Sequence, residues 1–309
     1  MIFPPYLQKG DTIGIVAPAR KISHEAVAYA HRWFSEQSYQ VRYGKNLFAE
    51  HCQYAGDDTQ RLEDLQIMLD DPEIKAIICA RGGYGTVRII DLLDFSTFLQ
   101  HPKWICGFSD ITVLHSHIHT QLQIATLHSP MIINITPEHQ EANKSLIHLL
   151  EGGKMNYTFA PHPLNRTGTA EGVLVGGNLS LLHTMAGTLS DISTAGKVLF
   201  IEDLEEYLYH IDRMMLNLKR TNKLRDLSGL IVGGMSNMND NAIPYGKTAE
   251  EIIAEHCKDY HFPVCYGFPA GHIALNQSLK IGATVKLQVS PKECCLSELK
   301  TMSFFINFL

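Results

Sequence analysis

Apolar runs alternate with helix-spaced stripes through the first half of the chain. Residues 12–18 (TIGIVAP), 74–80 (IKAIICA) and 104–108 (WICGF) lack the period-two alternation of a half-exposed strand. Such runs read as strands covered on both faces, the pattern of a parallel sheet. Residues 39–44 (YQVRYG) add a short strand, and residues 123–131 (QIATLHSPM) close this half. Between them, residues 23–37 carry Val27, Ala30 and Phe34 on one stripe, and residues 59–70 carry Leu62, Leu65, Ile67 and Leu69. Residues 86–93 predict a further short helix. After residue 108, Ile111, Leu114, Ile118 and Leu122 recur at helical spacing.

The rhythm is lost over 134–169, where Pro137, Gly152, Gly153, Pro161 and Pro163 fall, and a linker is expected there. Strand runs resume at 197–203 (KVLFIED), 229–234 (GLIVGG), 263–269 (PVCYGFP) and 280–289 (KIGATVKLQV), with helices over 207–218 and near 248–257. The expectation is an α/β protein. An amino-terminal parallel-sheet α/β domain spans 1–135, a linker spans 136–169, and a mixed domain spans 170–309. Ligands on such sheets bind beyond the carboxyl ends of the strands.

The 309 residues carry a net charge of −6, which argues against a nucleic-acid or anionic-membrane partner. The amino terminus shows no basic segment followed by an apolar one, and runs such as 13–17 and 198–201 are far short of a bilayer span, so a soluble, unexported chain is expected. Seven scattered cysteines without a CxxC pair suggest neither a disulfide framework nor a thiolate zinc site.

Candidate chemistry gathers at strand ends. In CGFSD (106–110) a buried strand ends, one serine follows, and a helix starts, the context of a nucleophile elbow. Ser109 reads either as a nucleophile or as a helix cap. The glycine-rich turn ARGGYG (80–85) leaves the same sheet edge and lets backbone N–H groups approach a ligand. FIEDLEE (200–206) places acids at a third strand end, Glu202 nearest the apolar run, and GFPAGH (267–272) ends on a histidine. His115, His117 and His119 are metal-like in spacing but lack a third ligand on one face or a HExxH glutamate.

Seven segments together carry a family resemblance: residues 10–19 (GDTIGIVAPA), 54–65 (YAGDDTQRLEDL), 76–85 (AIICARGGYG), 107–112 (GFSDIT), 176–182 (GGNLSLL), 199–206 (LFIEDLEE) and 267–287 (GFPAGHIALNQSLKIGATVKL). With these the chain resembles the LD-carboxypeptidases, cytoplasmic serine peptidases that include the microcin C self-immunity proteins. The resemblance implies an α/β domain joined to a β-rich one, with a cleft between them, in a homodimer. It implies a Ser109–His272–Glu202 triad, an oxyanion hole from the backbone N–H groups of Gly83 and Asp110, and no metal or other cofactor. Two departures stand near the expected cleft: Ser129 replaces a glycine common in the family, and APARK (17–21) replaces a serine-rich turn.

The implied reaction is release of a terminal D-alanine from a murein tetrapeptide during cell-wall recycling, by cleavage of an L,D amide through an acyl-enzyme. Arg81 and Arg213 are candidates for the substrate carboxylate, and Tyr84 and Asn178 for the cleft lining. One alternative is a self-immunity peptidase that cleaves a toxic aminoacyl- or peptidyl-nucleotide. It needs an aromatic platform for the base, and only Trp33 and Trp104 are available as tryptophans. Others are an inactive small-ligand binding protein and a Cys106 amidotransferase.

Overall fold

The computed structural model describes residues 1–299; residues 300–309, the end of the expected second domain, lie outside the described residues. The first half runs β1 (Thr12–Val16), α1 (His24–Glu36), β2 (Gln40–Tyr43), α2 (Asp58–Asp70), β3 (Ile74–Cys79), α3 (Ser96–Gln100), β4 (Trp104–Gly107), α4 (Thr112–His117) and β5 (Thr126–His128). These five strands pair in parallel in the order β5-β4-β3-β1-β2. The helix starts are written locally. Ser23 Oγ accepts the Ala26 N–H of α1, and Asp57 and Gln60 form a reciprocal cap on α2.

The stretch 136–169 is more ordered than a linker. It holds α5 (Gln140–Leu150) and β6 (Asn156–Phe159). Ala142, Leu146, Leu149 and Leu150 form a buried stripe on α5, bracketed by the Pro and Gly residues that give the segment its loop-like look. The second half continues with β7 (Gly168–Asn178), α6 (Leu179–Thr184), β8 (Val198–Leu204), α7 (Leu208–Arg220), β9 (Gly229–Ser236), α8 (Ala249–Cys257), β10 (Val264–Cys265), β11 (Leu279–Ile281), β12 (Thr284–Val289) and β13 (Cys294–Glu298). Its sheet has the order β10-β9-β8-β7-β12-β13-β6, parallel from β10 to β7 and antiparallel from β7 to β6.

Three local expectations change. Residues 86–93 form two 3-10 turns, Thr86–Arg88 and Ile90–Leu92, because β-branched Thr86, Val87, Ile89 and Ile90 disfavour a regular helix. The run 263–269 keeps only two strand residues, since Pro263 and Pro269 cannot donate to a ladder. The run 280–289 breaks at Gly282, and its parts enter different sheets: β11 pairs antiparallel with β5, so the second half supplies an edge of the first sheet.

Two apolar clusters each draw on both halves. One joins Ile15, Ile78 and Trp104 to Leu174, Phe200 and Leu287. The other joins Val16, Ile77 and Ile105 to Val175, Leu199 and Leu230. The Asn178 N–H also donates to Thr112 Oγ1 across the halves at 3.0 Å.

Candidate active site

The carboxyl ends of β3, β4 and β8 and the loop after β10 converge on one cleft. Ser109 follows β4 after one residue, Phe108, and opens a 3-10 turn, Ser109–Ile111, that leads into α4. Its φ of 62° is left-handed, a strained state for a non-glycine residue, after an extended Phe108. The glycine loop after β3 lies against it: a Cβ on Gly82 would stand 3.1 Å from Ser109 Oγ. Buried Asp110 fixes that loop by accepting the Thr86 N–H at 2.8 Å, and burial raises its carboxyl pKa.

Glu202 is completely buried on β8. Its Oε2 lies 2.6 Å from His272 Nδ1 and accepts the His272 backbone N–H at 3.3 Å. The carboxylate sets the tautomer, with the proton on Nδ1 and the lone pair of Nε2 left for the cleft. Gly271, at φ +105°, makes this approach possible, because a Cβ there would come within 2.8 Å of Glu202 Oε2. Asn276 Oδ1 accepts the Gly271 N–H at 2.8 Å, and Ser236 Oγ donates to the His272 carbonyl at 2.7 Å. Burial works against the His272 imidazolium, but the charge and hydrogen bond of Glu202, then Asp203 and Glu205, outweigh it and raise the pKa above the ordinary 6.5. Burial and then the Glu202 charge push Asp203 up to about 7.

Ser109 and His272 line one cavity of about 240 Å³ with Arg20, Arg81, Gly82 and Gly83. A second cavity of about 390 Å³ adjoins it, lined by His139, Ala142, Ile273 and Asn276. Phe108, Asn134, Leu204 and His272 belong to both. Among the described residues no hydrogen bond joins Ser109 Oγ to His272 Nε2; the two residues line one cavity. Such contacts commonly tighten only when substrate is bound. A hydroxyl facing a carboxylate-held imidazole, beside a glycine-rich backbone, is suited to acyl transfer.

Arg81 thus reaches the cleft, while three other candidates do not line either cavity. Tyr84 is 43% exposed and packs near Tyr54. Asn178 is buried and spent on structure, capping α6 and donating to Asp203 Oδ1 at 3.0 Å. Arg213 is exposed and sits over the Tyr209 ring. Sequence reasoning missed Arg20, Asn134 and His139 as lining residues; Arg20 lies in the departing APARK turn, which was the one available signal. Ser129 is buried, with its Oγ donating to the Pro130 carbonyl at 3.2 Å, and lines neither cavity. The three clustered histidines face apart: His115 meets the Gly107 carbonyl, His117 meets Ser190, and His119 meets Lys197. Cys106 is fully buried and burial pushes its thiol far up, which disqualifies it as a nucleophile. Trp104 is buried with its indole N–H on the Pro5 carbonyl, and Trp33 lines a separate hollow with Tyr29 and His148.

Comparison with known proteins gives the family. Residues 13–129 match the LD-carboxypeptidase N-terminal domain and residues 171–287 its C-terminal domain. The chain is 38% identical over 294 residues to a probable murein peptide carboxypeptidase of Bacillus subtilis, covering 94% of this chain and 92% of that protein. It is 30% identical to the murein tetrapeptide carboxypeptidase of Pseudomonas aeruginosa, covering 89% and 92%. In fold it is similar to the muramoyltetrapeptide carboxypeptidase of Oxalobacter formigenes, with a TM-score of 0.83 at 24% identity over 94% of this chain and 100% of that one. It is similarly close to the microcin C7 self immunity protein MccF, with a TM-score of 0.86 at 20% identity over 97% and 99%. The chain therefore belongs to the LD-carboxypeptidase family and is an enzyme of the serine type.

Proposed function

We propose that the enzyme removes the terminal D-alanine from a murein tetrapeptide recovered during cell-wall recycling in the cytoplasm, working as a homodimer. Ser109 Oγ attacks the carbonyl of the L,D amide while His272 Nε2 accepts its proton. Glu202 holds the ring and stabilises the imidazolium that forms. The N–H groups of Gly83 and Asp110 receive the oxyanion. D-Alanine leaves with the proton from His272, and water, activated by the same imidazole, releases the shortened peptide from Ser109.

The observation that carries this reading is the 2.6 Å His272–Glu202 pair, set in the second half and facing the cavity that Ser109 enters from the first. The murein peptides named for the Bacillus and Pseudomonas relatives supply the substrate class. The test is D-alanine release from a murein tetrapeptide, with an aminoacyl sulfamoyl adenylate as comparator. Ser109→Ala is expected to lower kcat roughly 10⁴-fold or more while the far-UV spectrum and melting temperature stay unchanged. Wild-type turnover in that variant, or turnover of the adenylate alone, overturns the assignment.

A further inference from the structure

The lobe that holds Ser109 is the cationic end of the cleft. It is lined by two arginines, Arg20 and Arg81, and by no aspartate or glutamate. Among the described residues neither arginine is paired with a carboxylate; Arg32, Arg166, Arg213 and Arg220 are also without one, but they do not line the cleft, while Arg42, Arg61, Arg88 and Arg225 are paired. Arg20 is anchored at the reacting end: a Cβ on Gly83 would fall 2.5 Å from Arg20 Cδ, so the arginine stem lies directly on the glycine loop. The adjoining lobe offers no Arg or Lys; beyond the shared His272 its one titratable group is His139.

We infer that Arg20, with Arg81, binds the free carboxylate of the leaving amino acid and orients the peptide across the cleft. This rests on the function proposed above. In a terminal dipeptide the free carboxylate lies three bonds from the scissile carbonyl carbon, so its anchor must adjoin Ser109. Two planar forks in a cavity without acids meet that demand, since guanidinium and carboxylate pair in a directed, bidentate geometry. The leaving residue then occupies the arginine lobe. The acyl part of the peptide crosses His272 into the lobe of Ala142 and Ile273. An amidated or extended carboxyl end leaves the guanidinium groups unpaired and is rejected.

The test compares a murein tetrapeptide ending in D-alanine with the same peptide ending in D-alaninamide, for the wild type, Arg20→Met and Arg20→Lys. The wild type should prefer the free acid. Arg20→Met should raise KM for the acid about 10- to 100-fold, with a smaller change in kcat, and collapse the acid-over-amide preference, as loss of a hydrogen-bonded charge implies. Arg20→Lys should restore part of the preference, and all three proteins should melt alike. A wild type that turns over the acid and an Arg20→Met variant with the full acid preference overturn this inference and leave the proposed function standing. A wild type that releases no D-alanine overturns both.

Discussion

Ser109 stands in a left-handed backbone state that a serine adopts only when its surroundings impose it, and the hydroxyl is thereby held at the end of β4 instead of being folded back as a cap. His272 owes its orientation to a carboxylate that is wholly removed from water. Because the folded environment favours the charged ring, protonated His272 stabilises the fold below the ordinary 6.5, and this contribution is lost as pH rises through the elevated folded value. Catalysis has the opposite need, since a general base must be neutral. The acidic limb of kcat/KM for D-alanine release should therefore lie above 6.5. Glu202→Gln removes the dominant raising influence, so the limb should move down in pH and kcat/KM should fall roughly 10⁴-fold. A limb that stays in place in Glu202→Gln would show that another group sets it.

At the scale of elements, the loop after β3 and the loop after β10 act as backbone surfaces on which side chains rest. Gly83→Ala forces a side chain onto a φ of +115° and into Arg20, so kcat/KM should drop roughly 10- to 100-fold, more than a surface Gly→Ala change elsewhere. Equal activity in a steady-state assay would mean that the loop relaxes without cost. Much of this framework was legible in the chain. The unbroken apolar runs of β1, β3, β4, β8 and β9 mark themselves because both faces are covered, and those of β3, β4 and β8 end at the cleft. The misses have a common cause. β6 and β13 are short, and partnered only across the sheet. Nothing local in Leu279–Ile281 tells it to join β5 instead of continuing into β12. That Ser109 and His272 meet at one cleft, with Glu202 held against the histidine, was legible through motif order along the chain. Arg20 showed only as part of the departing APARK turn, because cavity lining is a property of the assembled loops. Asn178 misled because a capping asparagine and a ligand-binding one look alike in sequence.

The whole molecule is built so that its two halves share both apolar clusters and one sheet edge. Docking of the halves is thus part of assembling the cleft, with the hydroxyl on one side and the imidazole–carboxylate pair on the other. The proposed activation of Ser109 by a base from the opposite half can be tested without any choice of substrate. The most direct measurement is mass-spectrometric mapping of a fluorophosphonate adduct on the intact enzyme. The account predicts a single adduct on the peptide bearing Ser109 in the wild type, formed at least about 100-fold more slowly in His272→Ala. An adduct on another residue, no adduct, or an unchanged rate in His272→Ala would contradict it.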